Sequence, residues 1–385
     1  MSARAATFGV FFVNGAAIGV WVAQIPFVQD RFGLSKSTLG LILLTMSIGV
    51  IVALPVMGQA IVRLGSARAV RLAGTICCLV VPLPLLAPEP YLLPLALIAF
   101  GAAAGSMDVS MNAHGSAIEG RTGRPIMSSL HAGWSFGGFT GAAGVAAATA
   151  AGADPRVQNT IAAGLLLAAL LACLTALGPG SATAAGERFR LPSRAVVLMA
   201  VLCFLTMVTE GAMADWGGVY LRGDLGASAG VAAAAFAAFS AGMTIARLTG
   251  DRINFEIGPT RLLRGGSALA AIALGTMLVI AHPVAALIGL VLVGIGVANG
   301  VPLLFSCAGA GGAETAGPAI AAVSSMGSLG FLVGPPFIGF LAEATSLPLA
   351  LTLLCAATGA VAVLAPRVTG PAQRGRRPEP ELAIR

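Results

Sequence analysis

The stretch Gly101–Trp134, GAAAGSMDVSMNAHGSAIEGRTGRPIMSSLHAGW, decides how the chain is read. An apolar run beginning near Tyr91 carries Gly101 and Gly105, then Asp108 and Asn112, each pair four residues apart and so on one helix face. A short polar loop with Arg121 and Arg124 follows, and a second apolar run opens with His131, Trp134 and Ser135. With the turn centred near Arg121, counting equal residues outward sets Asp108 level with Ser135 and Asn112 level with His131. A carboxylate, an amide and an imidazole are therefore expected to meet between two helices with glycine-smoothed faces. Inside a membrane such groups mark a functional site.

Composition puts that hairpin in lipid. Of 385 residues, 57% are hydrophobic and 10% charged, with a mean hydropathy of +0.93. A soluble chain carries roughly a quarter charged residues. The chain is thus an all-α membrane protein, and its 51 glycines suit close helix packing in lipid. Cys77, Cys78, Cys173, Cys203, Cys307 and Cys355 lie in apolar runs without metal-ligand or CxxC spacing, so they read as small apolar filler. The run from Ala5 to Val28 is too long for a signal-peptide core and reads as an uncleaved first span.

A span needs about 20 apolar residues. Twelve segments qualify, near 6–29, 37–60, 69–88, 91–115, 127–151, 157–178, 195–219, 227–249, 263–281, 284–308, 318–343 and 348–366. The expected organisation is a six-helix bundle over 1–178, a cytoplasmic loop over 179–194, a second bundle over 195–366 and a disordered basic tail over 367–385. Counted on that topology, 18 of the 22 basic residues fall on one side and 4, namely Arg31, Lys36, Arg156 and Arg222, on the other. The positive-inside rule then places both termini in the cytoplasm, and the net charge of +7 is a topology signal rather than a mark of nucleic-acid binding.

The two halves repeat. Phe32-Gly33-Leu34-Ser35 matches Leu225-Gly226-Ala227-Ser228, and Gly65-xx-Arg68-xx-Arg71 matches Gly258-xx-Arg261-xx-Arg264, both at an offset of 193. Asn14-Gly15 falls against Glu210-Gly211 at 196, and Glu119 against Glu314 at 195. Six spans repeated in one orientation are the design of a two-bundle transporter with its site at the bundle interface near mid-membrane.

This pattern resembles the major facilitator superfamily over essentially the whole chain. The family's hallmark loop, Gly-xxx-Asp-Arg-x-Gly-Arg-Lys, is matched by Gly58, Arg63 and Gly65, with Val62 in the acidic position and Ser66 in a basic one. The second-half copy carries Gly250-Asp251-Arg252, then Gly258 and Arg261. The DVSMN segment with His131-Ala132-Gly133-Trp134-Ser135 looks like a bacterial subgroup distantly akin to the fucose:proton symporter. The resemblance implies two pseudo-twofold bundles, an inner-membrane location and alternating access. It also implies gating by Gly58, Arg63, Gly65, Asp251 and Arg252. Span five has Gly137-Gly138-Phe139-Thr140-Gly141 without the proline of the family's drug:proton antiporters, which lowers that reading without removing it.

Asp108 is the sharpest candidate: an ionised carboxylate at this depth costs several kcal/mol unless paired or hydrated. It can carry a proton between two sides, or simply hydrogen-bond Asn112 or Ser135. Glu210 lies about 23 Å along span seven at 1.5 Å per residue, in its outer half, opposite its repeat mate Asn14. It serves as a proton site, an outer gate or an interfacial acid. Asp215 reads as a solvated helix terminus. His131 is a proton relay or a hydrogen-bonded neighbour. Trp134 stacks on a flat ligand or packs, whereas Trp21 and Trp216 read as interfacial belt residues. Gln24 and Asn299 are ligands for hydroxyls or amides, or interhelical hydrogen bonds.

No phosphate loop or metal spacing occurs, and the single lysine is Lys36, so neither enzyme chemistry nor a cofactor is expected. The expected partners are a small solute, protons and the bilayer, with the protein a monomer. The leading reading is a proton-coupled secondary transporter. Its rivals are an uncoupled facilitator, an efflux antiporter of the same fold, and a non-transporting membrane sensor.

Overall fold

The computed structural model describes residues 1–123, 126–180, 193–310 and 313–369. Arg124, most of the expected central loop and the expected tail from residue 370 onward lie outside the described residues. Among the described residues, twelve helices of 20 residues or more run back and forth. They are α1 (Ala3–Phe32), α2 (Lys36–Leu64), α3 (Ser66–Leu86), α4 (Pro90–Thr122), α5 (Met127–Ala150), α6 (Pro155–Leu174), α7 (Arg194–Asp224), α8 (Ala229–Ile257), α9 (Pro259–Ile280), α10 (Pro283–Gly309), α11 (Ala316–Ala344) and α12 (Leu347–Val368). Eleven are apolar enough to cross a membrane on composition alone; α5 falls short of that criterion. Its glycines, serines, His131 and Trp134 dilute it; of these, Trp134 and Ser135 reach Arg247 of α8.

The sequence repeat is also a repeat of backbone geometry. Ser35 and Ser228 cap α2 and α8 through their side-chain oxygens, accepting from Thr38 N and Val231 N. Both helices then end on a glycine in a conformation that a Cβ disfavours, Gly65 at φ +79°, ψ 153° and Gly258 at φ +82°, ψ 161°. The hallmark loops are therefore single-residue turns. Gly58 and Arg63 sit in α2, Asp251 and Arg252 in α8, rather than in loops.

Glycines set the packing inside each half. A Cβ on Gly15 of α1 would run into the Trp134 carbonyl, and one on Gly137 of α5 into the Phe12 carbonyl, so α1 and α5 pack backbone to backbone. Gly49 of α2 approaches the Ile98 carbonyl of α4, and Gly101 of α4 the Met46 carbonyl, in the same manner. Between the halves, α2 packs on α11 and α5 on α8, with α1 touching α8.

The joints between the halves are concentrated on one side. Arg222 Nε donates to Asp30 Oδ2 at 2.9 Å, and Lys36 Nζ lies 3.9 Å from Asp224 Oδ1. Glu343 at the end of α11 accepts from the backbone N–H of Lys36 and Ser37 at 2.9 and 3.4 Å. At mid-depth, Ser47 Oγ donates to the Phe331 carbonyl, and Arg247 donates to Ser135. Among the described residues, no hydrogen bond or ion pair joins the halves on the arginine-rich side of Arg247.

Two expectations are corrected here. Trp21 and Trp216 are not belt residues: they are 2% and 0% exposed, packed in the core. Helix pairing at glycine faces leaves the centre of the bundle to be filled, and these are the largest side chains available for it. Arg247, counted above with the cytoplasmic arginines, lies ten residues before the end of α8, within the span. The count on that side becomes seventeen against four.

Gly137→Val should abolish the α1–α5 contact and give aggregated or strongly destabilised protein in detergent. Gly144→Ala, where a Cβ meets nothing within 4 Å, should leave the melting temperature unchanged or higher. Thermal unfolding of the two purified variants checks this.

Candidate functional site

Arg247 stands at the centre. Arg247 lies ten residues, about 15 Å, before the end of α8, and its side chain is 13% exposed. A guanidinium there requires partners. It has one in its own half, since Nη2 lies 3.5 Å from Glu210 Oε1 of α7, with both side chains about seven-eighths buried. It has another in the other half, where Nη1 donates to Ser135 Oγ of α5, which itself donates to the His131 carbonyl at 3.2 Å. The guanidinium carbon also stands 5.9 Å from the centroid of the Trp134 ring, within cation–π range.

The first half answers with a second relay. Trp134 Nε1 donates to Asn14 Oδ1 at 2.9 Å, and Asn14 Nδ2 donates to the Ala104 carbonyl of α4 at 3.2 Å. A connected line thus runs from α4 through Asn14, Trp134 and Arg247 to Glu210. The repeat mates Asn14 and Glu210 do not face each other directly; Trp134 and Arg247 stand between them. Every member but Arg247 was a candidate from the sequence.

The expected meeting of α4 and α5 at Asp108, Asn112, His131 and Ser135 does not occur. The register counted from the loop is right, since Gly115 of α4 abuts Met127 and Leu130 of α5. Deeper in, α1 is inserted between the two helices, because Gly15 and Gly137 let α1 and α5 approach more closely than α4 and α5 can. Asp108 instead bonds within its own helix: Asn112 Nδ2 donates to the Asp108 carbonyl at 2.9 Å and to Oδ1 at 3.2 Å. Its carboxylate is exposed and has no cationic partner among the described residues. Helical spacing places it between the Ala104 ridge that meets α1 and the Gly101/Gly105 ridge that packs on α2. Both α1 and α2 face the second half, so the gap between them opens toward the space between the halves. His131 is partly exposed and stands edge-on to Phe11, with ring centroids 5.4 Å apart.

Other candidates move away from the centre. Gln24 is buried in the first half, donating to Gln158 Oε1 and Asn159 Oδ1 of α6. Asn299, at the break in α10, donates to the Ala246 carbonyl and fills the space against Gly250. Both are interhelical hydrogen bonds rather than exposed ligands. Arg252 pairs with Glu256 of its own helix at 3.0 Å. Asp215 is half-buried within α7, nine residues before the end of that segment, and is no helix terminus.

Arg247 is the residue that loop counting missed. The repeat offset of 193 sets it against Leu54, ten residues inside α2, and that signal was available in the sequence.

The Major Facilitator Superfamily model matches residues 6–317 of the chain. An uncharacterized MFS-type transporter of Yersinia pestis is 37% identical over 369 residues, covering 94% of this chain and 96% of its own length. Among solved structures, a mutant of the nucleoside transporter NupG superposes with a TM-score of 0.75 at 11% identity, covering 96% of this chain and 100% of that one. A mutant of the E. coli fucose:proton symporter FucP gives 0.65 at 14% identity, with 96% and 98% covered.

Asn14→Ala should leave the Trp134 indole N–H unpaired and lower stability by roughly 1–3 kcal/mol. Adding Trp134→Phe removes the orphaned donor and should recover part of the loss. Melting curves of the two variants and their combination check this.

Proposed function

The chain belongs to the major facilitator superfamily, and on that premise we propose that it is a proton-coupled secondary transporter of a small polar solute. The observation that carries the reading is the Arg247–Glu210 pair in the second half reaching Ser135 in the first, at mid-depth in an apolar frame. A contact that is strongly polar, buried and shared between two halves can be broken and remade as the halves rock, which is what alternating access requires.

In this reading the solute binds between the halves against Asn14, Trp134, Ser135, Glu210 and Arg247. Asp108 with Asn112 receives the proton from the arginine-rich side, where no hydrogen bond or ion pair among the described residues joins the halves, and His131 lies between them. The outer contacts of Arg222, Asp30, Lys36 and Glu343 close the opposite entrance, while Gly58, Arg63, Gly65, Asp251 and Arg252 govern the arginine-rich one. The charge asymmetry supports a bacterial cytoplasmic membrane with both termini inside, and nothing in the described surface calls for more than a monomer.

Asp108→Asn should abolish uphill, pH-gradient-driven solute accumulation in proteoliposomes while leaving energy-independent exchange of solute intact. Accumulation that persists with an unchanged dependence on the gradient would remove Asp108 from coupling. Flux equal with and without a gradient in the parent protein would favour an uncoupled facilitator.

A further inference from the structure

We infer that Arg247 anchors a small organic monocarboxylate, and that Glu210 is the internal carboxylate holding its place when no ligand is bound. The inference rests on the transport reading above and adds the substrate class.

The Arg247 guanidinium has more donors than partners. Of its five N–H groups, one on Nη1 is engaged by Ser135 Oγ. Nη2 faces Glu210 Oε1 at 3.5 Å, well beyond the roughly 2.7–2.9 Å of a charge-assisted hydrogen bond. Nε is buried and has no acceptor. The Nε–Nη2 edge is the one that receives a carboxylate in two parallel hydrogen bonds, and here a single long contact holds it. In the first half, Asn14 already accepts from Trp134 and donates to the Ala104 carbonyl. The Trp134 ring beside the guanidinium supplies a flat apolar wall for the carbon skeleton of the ligand. One arginine balanced by one glutamate suits a single negative charge; a phosphate dianion would meet too little positive charge.

Occupancy follows a simple exchange. The proton that Asp108 takes up from the arginine-rich side passes to the Glu210 carboxylate, giving the neutral acid and returning Asp108 to its ionised form, and the ligand's carboxylate takes the Nε–Nη2 edge that Glu210 vacates. The charge of the site is the same before and after, so one proton accompanies one monocarboxylate without net charge movement. The titratable groups around the pair are His131 on α5, near Arg247, and Cys203 and Asp215 on α7 with Glu210. Asp251 lies one turn further along α8, and Asp108 on α4 faces the same inter-half space. At this level α1 and α11 bring no charged group among the described residues.

The test uses the purified full-length protein with gluconate, glucuronate and lactate, each beside an uncharged counterpart (glucose, methyl glucuronate, glycerol). Calorimetry and thermal shift at pH 5.5 and 7.5 should show at least one carboxylate binding, more tightly at the lower pH, with its uncharged counterpart silent. Arg247→Lys keeps the charge but loses the fork, and should weaken binding by about tenfold or more while the protein stays monodisperse. Glu210→Gln should bind the carboxylate equally well at both pH values. The inference is overturned if none of the three carboxylates binds, if the uncharged counterparts bind as tightly, or if Arg247→Lys leaves affinity unchanged. In proteoliposomes, flux of a neutral or cationic solute that survives Arg247→Gln overturns the anchor and leaves transport standing. Absence of flux for every solute removes the transport reading itself.

Discussion

The Arg247 guanidinium is largely buried between the two halves, and the middle of the molecule is arranged around its need for partners. Glu210 supplies the opposite charge from the same half and Ser135 an acceptor from the other. Trp134 and Asn14 extend the polar contact back to α4. Remove the charge and the rest has no reason to be there: α5 carries serines, a histidine and a tryptophan where a helix of purely structural purpose would carry leucine.

The glycines make the junction possible. Because α1 and α5 approach backbone to backbone at Gly15 and Gly137, the Trp134 indole and the Asn14 amide lie within hydrogen-bond distance. The same closeness wedges α1 between α4 and α5 and separates Asp108 from Ser135. Two acids thereby acquire different environments. Glu210 is buried against a fixed cation, whereas Asp108 is exposed and has no cationic partner among the described residues. Close packing and functional differentiation are here the same structural event.

Much of this was legible in the residues alone. The twelve spans, the repeat and the level of α4 against α5 all follow from local pattern and counting. Gly65 and Gly258 even adopt nearly the same backbone angles, as their equivalent positions in the repeat imply. What was not legible depended on depth and partner. Arg247 sits in a helix that continues past the apolar segment, so a hydropathy boundary near residue 249 made it look like a loop charge. Extending the repeat to Leu54 would have placed it correctly. Gln24 and Asn299 looked like ligands because polarity on a span is visible in sequence, whereas the Gln158 and Ala246 partners that satisfy them are set by tertiary packing.

The account stands on the coupling between Glu210 and Arg247. Its most direct measure is a double-mutant cycle on stability in detergent, using Glu210→Gln, Arg247→Gln and the double variant. The account predicts that each single change leaves a buried charge unpaired and costs about 3–5 kcal/mol, and that the double variant is more stable than Arg247→Gln alone. Simple additivity, with no coupling energy between the two positions, would contradict it.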